Sequence, residues 1–213
     1  MIADRKTPVT SDEIEAMLIR NRFAASTVVP NYTPDKWWEC DVLEVTAAGY
    51  FREYEIKMSR ADFLRDHRKS SEVRIDWRKQ MKLEREAREA GLPPPVRPVE
   101  KKHDLLASRS PRGPVQFWYV IPKGLVRMNE IPEWAGFIEV EIHGTYLAER
   151  ELIKAPRLHG EKLAKAILDH AVGVCYYRFH SLLSKVAGLR SQAVESAKLL
   201  QAFGWPKTKP GTI

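Results

Sequence analysis

The sequence predicts an α/β fold, a mixed sheet flanked by helices, with a charged, proline-rich insertion and a helical C-terminal extension. Three observations predict it. Residues 38–46 and 50–57 are two runs rich in β-branched and aromatic residues, split by Ala47-Ala48-Gly49, which reads as a hairpin. Residues 115–121 are apolar nearly throughout, as in an interior strand covered on both faces. Helical periodicity marks the segments before and after the hairpin and the end of the chain. The expected core spans 1–150, with the insertion at about 70–100, and the extension spans 151–213.

The elements follow in order. Thr10 or Ser11 caps a helix running to about Phe23, with Asp12, Glu13 and Glu15 in its first turn. Ile14, Met17, Leu18 and Ala25 are spaced to face the sheet. Residues 28–32 form a short extended piece entering a loop, because Pro30 interrupts regular pairing. After the hairpin, Ser59 and Asp62 fit a capping box. The helix they open buries Phe63 and Leu64 and turns Arg60, Arg65, His67, Arg68 and Lys69 outward. That basic face is either a solvated surface or a track for a phosphate backbone.

The insertion combines a helix-prone stretch, 81–90, ended by Gly91, with an extended proline-rich loop at 92–98. It is a solvated arm, or a clamp for substrate or partner. Lys101, Lys102 and His103 then lead a short helix back to the core. Residues 131–142 give a turn and an alternating strand, and Trp118 and Trp134 are expected in the core. From Pro156 onward, apolar stripes at 160–189 and 191–203 predict two or three helices that pack on the core or form a homodimer contact.

The chemistry concentrates in the hairpin. With the turn centred on Ala48, positions summing to about 96 face each other, which sets Asp41 opposite Glu55 and Glu39 opposite Lys57. Directly paired side chains lie roughly 5 Å apart at Cβ, and side chains alternate between faces, so Asp41, Glu55 and Lys57 share one face. Two hard oxygen ligands at that spacing suit magnesium, which polarises a phosphodiester and lowers the pKa of a bound water. A neighbouring lysine can orient or deprotonate that water, or offset charge building on the phosphate. The same triplet also fits an ordinary wet strand face with cross-strand charge pairs, and Glu100-Lys101-Lys102 matches Glu-x-Lys without any such setting.

Glu39-Cys40-Asp41, Glu55-Ile56-Lys57 and the run from Ser59 to Asp66 resemble the PD-(D/E)xK nuclease superfamily. The resemblance is to its small bacterial and phage members, with MmcB-type DNA repair proteins as candidate relatives. It implies a restriction-endonuclease-like core over about residues 11–140: a helix, a three-strand meander, a helix and a further strand. It implies Asp41 and Glu55 as magnesium ligands (manganese may substitute), Lys57 as catalytic lysine, and Glu15, or failing it Glu13, as the supporting acid from the first helix. Cys40 stands where the superfamily name has proline. The implied function is a Mg-dependent deoxyribonuclease in repair, recombination or phage DNA processing, with RNA kept open as substrate. Arg60, Arg65, Arg68, Lys69, Lys101, Lys102 and His103 would hold the nucleic acid. The alternatives are an inactive binding module of the same fold and a protein-interaction scaffold.

Composition agrees with an anionic partner. The net charge is +7, and residues 59–112 hold 15 Lys and Arg against 9 Asp and Glu, so the excess falls just after the proposed catalytic strand. Cys40 and Cys175 are too few for a disulfide framework or a zinc site. No apolar run approaches the roughly 20 residues of a membrane span, and no signal peptide is apparent, so a cytoplasmic protein without a membrane partner is expected.

Overall fold

The structure is a computed structural model that describes residues 8–34, 37–66, 70–72, 77–93, 99–144, 146–163 and 165–202. It is an α/β fold whose six-stranded mixed sheet has helices on both faces. Helix α1 (Ser11–Arg22) comes first, followed by β1 (Ser26–Tyr32), β2 (Cys40–Thr46) and β3 (Phe51–Ile56). Helix α2 (Arg60–Asp66), β4 (Ser70–Glu72), α3 (Trp77–Glu89), β5 (Val99–Lys101) and α4 (Lys102–Ala107) lead to β6 (Gln116–Pro122). Then come β7 (Gly136–His143), β8 (Tyr146–Ile153) and α5 (Lys165–Ala202). The sheet order is β1-β2-β3-β6-β7-β8, with β6 parallel to β3 and β7 and the other pairs antiparallel. Two compact units divide the chain, Met1–Asp169 and His170–Ile213. Strand β8 runs through residue 150, the expected domain boundary.

Thr10 caps α1 with a complete capping box. Its hydroxyl accepts from the Glu13 amide at 3.3 Å, and the Glu13 carboxylate accepts from the Thr10 amide at 3.0 Å. Ile14, Met17 and Leu18 then pack on Val42, Tyr54, Ile56, Trp118, Val120, Ile138 and Val140, which form one face of the sheet. Ala25, expected on that face, is exposed, because the helix ends at its C-cap Phe23 and Ala25 falls in the turn beyond. Pro30 does not interrupt pairing. It sits opposite Val42 in β1, an edge strand, where a missing amide proton is tolerated.

The hairpin forms in the expected register, Val42 opposite Tyr54 and Leu43 opposite Glu53. Gly49, at φ +84°, lets the loop close, with its amide donating to the Thr46 carbonyl at 2.8 Å. On the second face of the sheet, Phe63 of α2 and Leu106 of α4 are buried with Phe117, Tyr119 and Ile121 of β6. Leu64, expected beside Phe63, is 48% exposed, since a seven-residue helix buries only one narrow stripe.

The insertion has an unforeseen root: β4 and β5 pair as an antiparallel ribbon, Ser70 opposite Lys101, at the two ends of the predicted segment. Helix α3 ends as expected at Gly91 (φ +67°), where the Leu92 amide reaches the Ala87 carbonyl at 2.8 Å. Strand β8 completes the sheet by pairing with β7. Beyond it, the expected two or three C-terminal helices are one helix, α5. Gly188 costs a helix roughly 1 kcal/mol, which is too little to break one of this length. Among the described residues no helix is long and apolar enough to cross a membrane.

Candidate active site

The site lies at the carboxyl ends of the parallel strands β3 and β6, on the face covered by α2 and α4. Alternation along β3 sends Glu53 and Glu55 to this face, and Lys57 follows one step past the strand end, where its amide still donates to the Val120 carbonyl at 3.1 Å. Asp41 enters from β2, whose register with β3 puts it across from Glu55. Its Oδ2 accepts from the Ile56 amide at 2.7 Å. Asp41, Glu55 and Lys57 therefore converge, as expected.

The structure surrounds them with groups that the sequence did not place at the catalytic centre. Lys57 Nζ lies 2.7 Å from Glu55 Oε1 and 2.7 Å from Asp66 Oδ1. Asp66, in the last turn of α2, also meets His103 Nε2 at 2.8 Å and accepts from the Tyr119 hydroxyl at 3.0 Å. Lys102 Nζ sits 2.6 Å from Glu53 Oε1 and 2.7 Å from Glu55 Oε2. Trp37 Nε1 donates to Glu53 Oε2 at 2.8 Å. Glu53, Glu55, Lys57, Asp66 and Lys102 are all at most 2% exposed. This chain of buried ion pairs is tolerable only because nearly every polar atom has a partner.

Two expectations are corrected here. Lys102 and His103 are buried in this network and do not present themselves to a nucleic-acid backbone. The reason is electrostatic: two buried glutamates on β3 need a cation, and the first turn of α4 delivers one. Glu13 is committed to the cap of α1 and cannot serve as the supporting acid. Glu15 accepts from Asn31 at 2.8 Å, at the end of β1 where Tyr32 pairs with Cys40. It lies at the same end of the sheet as Asp41. Arg60, Arg65 and Lys101 are exposed, and Arg60 is ion-paired to Glu130. Arg68 and Lys69, with His67, lie outside the described residues.

The charges do not balance. Asp41, Glu53, Glu55 and Asp66 bring four carboxylates against the two ammonium groups of Lys57 and Lys102, and His103 on Asp66 adds a third cation only when protonated. Burial, and then the proximity of Glu55, push Asp41 up to about 6. Burial raises Glu53 as well, with Lys102 opposing the rise and Glu55 adding to it. Burial opposes the charge on Lys102, but Glu53 and Glu55 outweigh it and hold the ammonium well above its ordinary range. Burial and Asp66 raise Tyr119, so its hydroxyl acts as a donor.

These residues fit a divalent cation. Asp41 Oδ1 has no protein partner among the described residues and is not sealed from solvent. It faces a second carboxylate, Glu55, whose proximity raises it. Each Glu55 oxygen takes one lysine, Oε1 from Lys57 and Oε2 from Lys102. Asp41 and Glu55 would hold such an ion. Sequence could have pointed to Glu53, which alternates with Glu55 on one strand face. Lys102 and His103 carry no comparable local signal.

No family model matches the chain, and no curated protein matches it. Among solved structures, a protein of unknown function from Silicibacter pomeroyi is similar at 16% identity and a TM-score of 0.49, covering 82% of this chain and 92% of that one.

Proposed function

We propose that the protein is a magnesium-dependent nuclease that hydrolyses phosphodiester bonds of DNA. The observation that carries the reading is the acid excess around Asp41: a half-buried carboxylate raised to about 6, facing Glu55, with one oxygen open. Asp41 and Glu55 would hold magnesium, or manganese in its place, and the ion would supply positive charge to a phosphodiester as negative charge develops on it. Lys57, buried and held between Glu55 and Asp66, is the positive charge built into the site next to the proposed ion ligands. His103 and Tyr119 fix Asp66, and so fix Lys57. Glu15, bonded to Asn31 and carried by a helix on the opposite face of the sheet, keeps its supporting role from the resemblance alone. A helix, a three-strand meander, a helix and, past the insertion, a further strand follow in the order the nuclease resemblance implies.

One observation favours a second reading, a binding module that cuts nothing. Lys57 and Lys102 each take one oxygen of Glu55. One experiment separates the two. Linear, nicked, branched and single-stranded DNA, and RNA, are incubated with magnesium or manganese and wild type, Asp41→Asn or Lys57→Ala. Cleavage by wild type alone supports the nuclease. Equal inertness of all three proteins on every substrate, with retained binding, supports the module.

A further inference from the structure

A groove of about 580 Å³ opens beside the candidate site, lined by Arg60, Gly124, Leu125, Arg127, Asn129 and Glu130. Its position follows from the sheet. Arg60 opens α2 three residues after Lys57, and Gly124 to Glu130 belong to the loop leaving β6, which runs parallel to β3. The groove thus lies beyond the carboxyl ends of two parallel strands, where open α/β sheets bind their ligands. Glu130 is its one acid. It forms a two-pronged pair with Arg60, Nη1 to Oε2 at 2.6 Å and Nη2 to Oε1 at 2.5 Å, and accepts from the Arg127 amide at 2.9 Å. The Arg127 side chain is exposed and makes no close ion pair among the described residues, although its charge is felt by Glu130. Asn129 adds an exposed amide.

The pairing of Arg60 with Glu130 is the geometry in which a guanidinium takes a phosphate. We propose that this groove is a subsite for one backbone phosphate of a nucleic-acid strand, flanking the phosphate at Lys57, with Arg60 and Arg127 as its ligands. Glu130 is a resident anion that holds Arg60 in place and yields it when the phosphate arrives. Binding exchanges one anion for another on Arg60 and adds a contact to Arg127. Neither Arg127 nor Asn129 stands out in the sequence, because both come from a loop some 70 residues beyond the hairpin that only the β3–β6 pairing brings close. This inference rests on the nuclease reading for its substrate class, yet its test needs no cleavage.

The test is fluorescence anisotropy with labelled single- and double-stranded DNA and RNA oligonucleotides, in EDTA, over a salt series. Arg127→Ala is expected to weaken binding about tenfold near 0.1 M salt and to flatten the log–log salt slope by about one contact. Glu130→Gln keeps an acceptor for the Arg127 amide but removes the competing charge, and is expected to tighten binding several-fold. A purely structural role for Glu130 predicts no tightening. The DNA and RNA arms show which strand is preferred. Unchanged affinity and slope in both variants would overturn the subsite while leaving the metal site untouched. Cleavage by wild type, measured separately with magnesium, reports on the nuclease reading itself.

Discussion

Asp41→Asn removes one negative charge from a cluster that has too many, and keeps the oxygen that accepts the Ile56 amide. The magnitude follows from the Asp41 carboxyl, raised to about 6 from 3.8. At about 1.4 kcal/mol per pKa unit, a rise of roughly two units amounts to up to about 3 kcal/mol. The sign is set by which state holds the proton. Between about pH 4 and pH 6 the folded protein binds it and the unfolded chain does not, so stability falls as pH rises through that window. Above it, the folded state carries the full cost of an ionised Asp41. In EDTA the variant is therefore more stable than wild type at pH 8, by up to about 3 kcal/mol, and close to it at pH 4. Urea denaturation of both proteins at several pH values measures the difference, and the comparison cancels the other acids. A variant that is less stable than wild type at pH 8, or a difference that does not change with pH, would refute the charge imbalance.

Other perturbations probe the surrounding structure. Lys102→Met leaves Glu53 and Glu55 buried without their shared cation, and is expected to cost about 3–5 kcal/mol in urea denaturation; a loss below 1 kcal/mol would show the pair to be dispensable. Gly136→Ala sets a Cβ 2.4 Å from the Trp118 ring and 2.7 Å from the Ala155 amide, so it is expected to destabilise by about 1–3 kcal/mol, visible as a lowered Tm. Thr10→Ala removes the cap of α1 for about 1 kcal/mol, and an unchanged Tm would argue that the box contributes nothing.

What was legible in the sequence was local. A three-residue turn ending in Gly49 fixes the register of β2 on β3, and a period of two then puts Asp41, Glu55 and Lys57 on one face. The cap at Thr10, the strand at β6 and the limits of the insertion are local signals of the same kind. The groups that hold the triplet are not local. Asp66, Lys102, His103 and Tyr119 reach Lys57 and Glu55 only through the crossover from β3 to β6, and a lysine followed by a histidine at a helix start reads as surface until the fold buries it. Strand β8 was hidden by Glu149, Arg150 and Glu151, charges that an edge strand admits and that blur alternation.

Binding of manganese at pH 8, followed by electron paramagnetic resonance, asks whether Asp41 and Glu55 hold one divalent ion. Wild type is expected to take up one manganese per chain, with magnesium competing for it, and Asp41→Asn to take up none. Equal uptake by the variant, or no uptake by wild type at millimolar metal, would contradict it.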